Sequence, residues 1–323
     1  MAADLRSDTR AGPVIILTGP TGTGKSDWAL ALAETLPVEI VSCDSAQVFR
    51  GLDIGTAKPD AATRARVPHH LLDLRDPAES YSAGEFVTDA TAALHAILAR
   101  GRLPVVVGGT MLYLRALLQG MAPLPGARTD LREEIDAQAA REGWPALHAQ
   151  LARLDPVAAA RIHANDRQRI QRALEVVRAT GTPISTWQSS GTAALSPFEF
   201  HAWALVPMDR AVLHERIAKR FHEMMAAGLL EEVRALHARP DLTTQHPAIR
   251  AVGYRQLWRY LAGDGSLEQA VERAIAATRQ LAKRQLTWLK SSLPMEKMDP
   301  QRPGACAAWT ARVHAIREPP VIS

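Results

Sequence analysis

The sequence predicts the α/β fold class, with a parallel, doubly wound sheet in the core and an inserted all-helical domain. Three observations lead to this prediction. Short apolar runs alternate with helix-like segments as far as residue 120. A glycine-rich loop joins the first apolar run to the first helix-like segment, as in many phosphate-binding α/β proteins. From 129 to 180 the chain has no strand-like run and follows the helical period instead.

The first part of the chain alternates regularly between strands and helices. Ser82 and Glu85 have the spacing of a capping box at the start of one helix, and Gly101 follows its end. Alternation of this kind favours parallel strands, whose carboxyl ends form the ligand-binding edge. The predicted elements are strands at 14–19, 38–44 and 105–110 and helices at 25–36 and 83–101.

The second part of the chain begins with a segment rich in proline and glycine, 121-MAPLPGAR-128, which is typical of a linker. Helical segments follow, and strand character returns at 199-EFHAWALVPMD-209. The predicted domains are therefore a core formed by 1–120 and 199–323, and a helical insertion at 121–198. Further helices are predicted at 167–180, 210–228, 229–239 and 267–290. We expect loose order over 299–323, where prolines recur.

Composition is that of a soluble globular protein. Of the 323 residues, 47% are hydrophobic and 22% charged, and the formal net charge is +4. This excess is too small to require a polyanionic partner, so the placement of the charges matters more. Residues 1–12 lack a secretory h-region, and no apolar run reaches the roughly 18 residues of a membrane span. The two cysteines, Cys43 and Cys306, make a disulfide framework improbable, and a cytoplasmic location is expected.

The glycine-rich loop of residues 19–26, the phosphate loop, predicts a phosphate site. A core that carries such a loop is a P-loop core. Gly19, Gly24, Lys25 and Ser26 fit the pattern G-x-x-x-x-G-K-[ST], between a strand and a helix as that pattern requires. Backbone amides and Lys25 would surround a phosphate, and Ser26 would hold Mg²⁺. The predicted phosphate-binding residues are Gly19, Pro20, Thr21, Gly22, Thr23, Gly24, Lys25 and Ser26.

The identity of the phosphate is not given by the loop. A P-loop ATPase needs an acid at the end of a core strand, but 105-VVVGG-109 ends in glycine. The acid that does follow a strand is Asp44, which could face the phosphate or could cap a turn. Thr110 has the same two interpretations: its hydroxyl could donate to a ligand, or the residue could simply form a turn. Spacing alone does not decide either case.

Two basic stripes are candidates for RNA binding. One lies in 161-RIHANDRQRIQRALEVVR-178, and the other, 279-RQLAKRQLTWLK-290, contains no acid and includes Trp288. Basic groups interleaved with an aromatic ring suit a phosphate backbone and an unstacked base. The alternative is that both stripes are solvated helix faces. The eleven histidines lack the spacing of a zinc site, and Trp28, Trp203 and Trp258 are expected in the core.

Longer segments resemble one family, the tRNA dimethylallyltransferases, also called tRNA isopentenyltransferases. The phosphate loop is followed by 44-DSAQVFRGLDIGTAKP-59, and the resemblance extends in the family's order over roughly residues 13–295. Further matching segments are 68-PHHLLDLRDP-77, 108-GGTMLYLRALLQG-120, 155-DPVAAARIHANDRQRIQRALEV-176, 250-RAVGYRQLW-258 and 278-TRQLAKRQLTWLK-290.

The resemblance implies transfer of the dimethylallyl group from dimethylallyl diphosphate to N6 of adenine 37, in tRNAs that read codons starting with U. Asp44 would then be the general base, Thr110 a hydrogen-bond donor, and Arg220 a partner of Lys25 and Mg²⁺ at Ser26 in stabilising the diphosphate. The inserted domain would grip the anticodon stem-loop, and a monomer is expected. The implied tRNA-binding residues are Asp44, Ser45, Ala46, Gln47, Thr110, Arg132, Gln168, Arg169, Ile170, Gln171, Arg172, Arg250, Gly253, Tyr254, Arg255, Lys283, Arg284, Gln285, Trp288 and Lys290.

Three other functions compete with this interpretation. A prenyltransferase acting on free adenine nucleotides would not need the inserted domain and its basic stripe. A P-loop kinase or ATPase would need the missing acid beside the loop. A non-catalytic RNA-binding module would leave Lys25, Ser26 and Asp44 without a use.

Overall fold

The computed structural model describes residues 12–122, 124–189, 197–291, 293 and 295–317. The chain divides into two compact units, and each is described by itself. The first unit comprises Met1–Leu118 and Pro197–Ser323, and the second comprises Gln119–Ser196. Among the described residues, no helix combines the length and the apolar composition that crossing a membrane would require.

A parallel sheet forms the centre of the first unit and confirms the predicted fold class. Its six strands run in the order β3-β2-β4-β1-β5-β6, and every neighbouring pair is parallel. Val14 to Leu17 of the central strand are fully buried, as expected of a strand covered on both faces. The strands are β1 Pro13–Thr18, β2 Val38–Ser42, β3 His69–His70, β4 Leu103–Gly108, β5 Glu199–Leu205 and β6 Glu296–Met298.

Helices account for most of the remaining described chain. The capping box predicted for the helix after residue 82 is present, since Ser82 Oγ accepts from the Glu85 amide and Glu85 accepts from the Ser82 amide. The helices are α1 Lys25–Ala33, α2 Ala61–Arg66, α3 Ala83–Ala99, α4 Met111–Gln119, α5 Thr129–Glu142, α6 Trp144–Leu154, α7 Pro156–Arg161, α8 Arg167–Thr180, α9 Ile184–Ser189, α10 Arg210–Ala226, α11 Leu229–His237, α12 Tyr254–Leu261, α13 Leu267–Ser291 and α14 Ala305–Arg317.

Hydrophobic clusters hold the first unit together, and two of them support the ligand-binding edge of the sheet. One packs α1 and α14 against the sheet and contains Ile15, Leu17 and Trp28. The other packs helices α10 to α13 around the segment that follows β2, and it contains Phe49 and Tyr254. The phosphate loop and the segment after β2 are thus both attached to packed elements, so the ligand-binding edge of the sheet stands on a buried support.

The expectation of loose order over 299–323 was wrong for most of that segment. Residues 305–317 form α14, and its Trp309 is fully buried. The Trp309 ring lies 5.8 Å from Trp28 and 6.4 Å from Trp203, measured between ring centroids. The prolines and glycine before residue 305 obscured the apolar i, i+4, i+8 pattern of Ala305, Trp309 and Val313. Residues 318–323 lie outside the described part of the chain.

The second unit consists of α5 to α9 around a small apolar core, and its described residues contain no strand. A buried carboxylate stabilises this unit from within. Glu175 accepts hydrogen bonds from the Arg128 amide, from the Arg132 guanidinium and from the Arg172 guanidinium. A buried charge is costly unless it is paired. The guanidinium groups of Arg132 and Arg172 pair with the Glu175 carboxylate and are held in place by it within the unit.

The packing of α14 yields a stability prediction. Trp309→Ala should lower the free energy of unfolding in urea by about 3–5 kcal/mol, because it removes a fully buried aromatic ring from the cluster on α1. Ala308→Ser, at an exposed position of the same helix, is the control and should change that free energy by less than about 0.5 kcal/mol. A Trp309→Ala protein as stable as the wild type would show that α14 does not belong to the folded core.

Candidate active site

A cavity of about 300 Å³ lies at the carboxyl ends of the strands. Its lining comes from the phosphate loop after β1, from the segment after β2, and from Gly108 and Gly109 at the end of β4. Helices α10, α12 and α13 supply the opposite wall through residues such as Arg220, Tyr254 and Gln285. This is the edge at which an open parallel sheet binds ligands.

The phosphate loop has a backbone that its glycines make possible. Gly19 has φ 146°, and a Cβ there would lie 2.5 Å from the carbonyl oxygen of Leu205. Gly24 has φ 87° and forms the N-cap of α1. The first turn of α1 therefore directs its unpaired amides and its positive dipole end at the loop, which is the arrangement that binds phosphate.

Lys25 is held inside the loop. Its Nζ donates a hydrogen bond to the Pro20 carbonyl oxygen at 2.8 Å, and Thr23 Oγ1 donates to the same oxygen at 2.8 Å. Burial and, to a smaller extent, the charge of Arg220 lower the pKa of Lys25 to about 8, with Asp44 and Cys43 acting in the opposite direction. Lys25 is therefore a cation whose charge can be lost close to neutral pH.

Arg220 lies on α10 and lines the same cavity. Burial lowers the pKa of its guanidinium, and the charges of Asp44 and Asp27 partly offset that effect. One turn earlier, Arg216 Nη2 lies 3.4 Å from where a Cβ on Gly24 would be. Sequence reasoning missed Arg216, although its i, i+4 spacing from Arg220 was a usable signal.

Asp44 forms the turn that the sequence allowed and also lines the cavity, while its action on a substrate stays a prediction. Its Oδ1 accepts a hydrogen bond from the Ala46 amide at 2.8 Å, which makes a turn, and the residue also lines the cavity. Among the described residues, no donor contacts the other carboxylate oxygen. The turn thus orients a carboxylate of which one oxygen remains available to a ligand.

Thr110 connects two strand ends. Its Oγ1 accepts from the Ser45 amide at 3.0 Å, and its own amide donates to the Cys43 carbonyl oxygen at 3.2 Å. Thr110 is absent from the cavity lining. The hydroxyl therefore holds Ser45, the residue next to Asp44, and a direct contact of Thr110 with a ligand stays a prediction.

Glu232 was not identified from the sequence. It accepts hydrogen bonds from the amides of Asp53, Ile54 and Gly55, and from the hydroxyl of Tyr254. These bonds attach the 53–55 backbone, beside the cavity, to α11. Its donors are more than twenty residues away in the chain, so no local pattern marks it.

The residues predicted to contact tRNA differ in exposure, and those half-buried include Asp44, Ala46, Gln47, Thr110, Arg132, Gln171 and Arg172, while Ser45 is exposed. Exposed on the first unit are Arg250, Arg255, Lys283, Arg284 and Lys290, and exposed on the second are Gln168 and Arg169. Gly253, Tyr254 and Gln285 are buried, Trp288 is half-buried, and Ile170 is fully buried in the core of the second unit. Because α8 is amphipathic, Ile170 lies on its buried face. The Ile170 side chain therefore cannot contact tRNA.

The donors in the cavity fit a divalent cation that is shared with a phosphate. Ser26 and Asp44 both line the cavity and offer hard oxygen ligands. Nowhere in the described ranges do three or more His, Cys, Asp or Glu side chains group as a metal cage. A small divalent ion bound through one or two protein oxygens, phosphate oxygens and water suits this set.

Fold and cavity together define an α/β P-loop protein with a phosphate site next to a carboxylate and an apolar wall. The family model described as IPP transferase matches residues 47–292, and the one described as isopentenyl transferase matches residues 12–81. The chain belongs to the IPP transferase family, that of the tRNA isopentenyltransferases.

Curated relatives and solved structures agree with this membership. A tRNA dimethylallyltransferase of Bordetella pertussis is 58% identical, covering 86% of this chain and 90% of the relative. One of Stenotrophomonas maltophilia is 56% identical, covering 94% and 97%. The tRNA isopentenylpyrophosphate transferase of Bacillus halodurans is 35% identical with a TM-score of 0.69, covering 95% and 97% of the two chains. A eukaryotic dimethylallyltransferase acting on tRNA is 27% identical with a TM-score of 0.77, covering 93% and 77%.

The ionisation of Lys25 predicts a pH dependence of anion binding. Affinity for inorganic pyrophosphate should be full below a pH of about 8, where Lys25 is charged, and should fall as pH rises through that value. Because Lys25 loses a single proton, the affinity for pyrophosphate can fall by up to about tenfold for each pH unit above that value.

Lys25→Arg is the matched control, because a guanidinium stays charged over this range. Titration of pyrophosphate itself affects both proteins equally, so the ratio of their affinities, measured by calorimetry, isolates Lys25. A ratio that stays constant from about pH 7 to about pH 9.5 would contradict the prediction.

Proposed function

We propose that this family member transfers the dimethylallyl group of dimethylallyl diphosphate to N6 of adenine 37, in tRNAs reading codons that start with U. The product is N6-isopentenyladenosine. Membership of the IPP transferase family makes the protein a tRNA prenyltransferase. The observation that supports the finer proposal is the meeting of Lys25, Arg220 and Asp44 in one cavity, with two cations for a leaving diphosphate and a carboxylate for an amine.

The diphosphate would occupy the phosphate loop. When the bond between C1 of the prenyl group and the bridging oxygen breaks, negative charge develops on that oxygen. Loop amides, Lys25 and Arg220 would surround this position, and donors that are already in place stabilise developing charge strongly. Arg216 lies near enough to the loop to take part in the same binding.

The adenine amine would react at the opposite side of the transferred carbon. N6 forms the new bond to C1, and the proton that N6 loses passes to the free oxygen of Asp44. Proton transfer to a positioned carboxylate contributes typically 10²- to 10⁴-fold in rate. Thr110, through Ser45, would help to keep Asp44 in place, and its hydroxyl would donate a hydrogen bond at the reacting site.

The prenyl chain would contact the apolar part of the lining. Ile217, Phe221, Met224 and Leu281 face the cavity from α10 and α13. An apolar wall accommodates a five-carbon chain and limits access of water, which would otherwise capture the allylic carbon.

Mg²⁺ is the proposed divalent ion. It would be held by Ser26 Oγ together with phosphate oxygens, with Asp44 close by. When bound, it neutralises charge on the diphosphate and so makes it a better leaving group.

The anticodon stem-loop is the proposed RNA element. Lys283, Arg284 and Lys290 of α13, with Arg250 and Arg255, give the first unit an exposed set of cations suited to a phosphate backbone. On the second unit, Arg169 is exposed, while Glu175 holds Arg132 and Arg172 in fixed orientations. The cytoplasmic location and the monomeric state stay predictions.

The decisive experiment measures tRNA mass. Purified protein incubated with dimethylallyl diphosphate, Mg²⁺ and unmodified tRNA should add one five-carbon unit, located at adenine 37 by mass spectrometry of nucleosides and fragments. Adding a chelator should stop the transfer. A free adenine nucleotide or ATP supplied in place of tRNA should not be prenylated or hydrolysed; if it is, and tRNA mass stays unchanged, the proposal is wrong.

The role of Asp44 gives a separate prediction. Asp44→Asn retains an oxygen for the Ala46 amide but removes the basic carboxylate, so kcat should fall by about 10²- to 10⁴-fold. The dissociation constant for tRNA, measured by filter binding, should change less than about threefold. Asp44→Ala removes the turn bond as well and serves as the comparison. Equal losses in kcat and in tRNA binding for Asp44→Asn would identify Asp44 as a contact residue only.

A further inference from the structure

A buried glutamine in α13 reaches out of its helix to the phosphate loop. Gln285 is 8% exposed although its neighbours Lys283 and Arg284 are exposed. Its Oε1 accepts from the Thr21 amide at 3.0 Å, and its Nε2 donates to the Gly109 carbonyl oxygen at 2.8 Å. One carboxamide therefore joins the loop after β1 to the end of β4.

The bond to Thr21 fixes a particular peptide plane. The Thr21 amide and the Pro20 carbonyl belong to the same planar peptide unit. The Pro20 oxygen is the acceptor for Lys25 Nζ and for Thr23 Oγ1, both at 2.8 Å. Rotation of this peptide away from Gln285 would therefore also move the acceptor that holds the Lys25 ammonium.

The contact with Gly109 shows how closely the carboxamide is enclosed. A Cβ on Gly109 would lie 2.5 Å from Gln285 Nε2. Both polar atoms of the carboxamide are hydrogen-bonded and the side chain is buried, so losing either bond would leave a polar group without water or partner. The carboxamide is thus held in a single orientation.

We propose that Gln285 is a positioning residue that sets the location of Lys25 in the diphosphate site, acting through the Pro20–Thr21 peptide. The proposal rests on the proposed function in that the loop binds a diphosphate. It changes the role of Gln285 from a tRNA contact to an internal connection. It also makes α13, which carries the exposed cations, a structural part of the phosphate site.

The first test uses inorganic pyrophosphate with Mg²⁺ as the probe and calorimetry as the measurement. Gln285→Met keeps the length and the burial of the side chain but loses both hydrogen bonds, and the affinity for pyrophosphate should fall about tenfold. Gln256→Met is the matched control: Gln256 is equally buried, bonds to the Gly253 amide and does not line the cavity. It should lower Tm by a similar amount but change pyrophosphate affinity less than about twofold.

The second test is a double-mutant cycle with Lys25. If Gln285 acts through the lysine, adding Gln285→Met to a Lys25→Ala protein should cost less than about twofold in pyrophosphate affinity. A merely structural role for Gln285 would instead give a further loss of about tenfold, and the two losses would multiply. That result would overturn the proposal.

Gly109→Ala tests the role of the Gln285 carboxamide without replacing Gln285. The new methyl group would displace the carboxamide and would also lie 3.2 Å from the Gly19 carbonyl oxygen, so this variant should lose at least as much pyrophosphate affinity as Gln285→Met. If the wild type binds pyrophosphate and Gln285→Met binds it equally tightly or more tightly, only the proposed role of Gln285 is overturned. Absence of pyrophosphate binding by the wild type overturns the proposed function as well.

Discussion

The site depends on keeping two cations partly out of water in one small cavity. Burial disfavours the charged forms of both Lys25 and Arg220; the charge of Arg220 also disfavours that of Lys25, and the charge of Arg216 disfavours that of Arg220. Asp44 offsets part of this cost because its charge acts on both. A site of this kind is less stable than a neutral one, but its cations are already in place to stabilise negative charge on a ligand. The remainder of the unit can be understood as the support that this arrangement requires.

That support consists of buried polar contacts around the strand ends. Lys58 is fully buried, and its three donors reach the Phe49 carbonyl oxygen, Asp53 and Asp73. Glu232 holds the neighbouring backbone from the opposite direction. Such groups are costly to bury alone, but when every donor and acceptor is paired they restrict the backbone to one conformation. The segment after β2 can therefore carry Asp44 as a rigid element even though it is a loop.

Local patterns made most of the fold predictable. The phosphate loop, the capping box at Ser82 and the alternation of strands and helices each depend on residues close together in sequence. Lys25, Asp44 and Arg220 were also found, the last through resemblance to a family and not through spacing. Long-range pairings were not predictable: Gln285 bonds to Thr21 across 264 positions, and nothing near either residue indicates the other. The miss at α14 has a local cause, the prolines and glycine that precede its apolar pattern, whereas the contacts of Trp309 with Trp28 and Trp203 are long-range.

The carboxylate of Glu232 has a consequence for selectivity. The three consecutive amides of Asp53, Ile54 and Gly55 converge on one oxygen pair, an arrangement that elsewhere in proteins captures phosphate. Here the chain supplies its own anion to these amides, permanently tethered and therefore at high effective concentration. Free phosphate thus meets amides that the Glu232 carboxylate already occupies, so this backbone does not compete with the glycine-rich loop after β1 for a phosphate ligand.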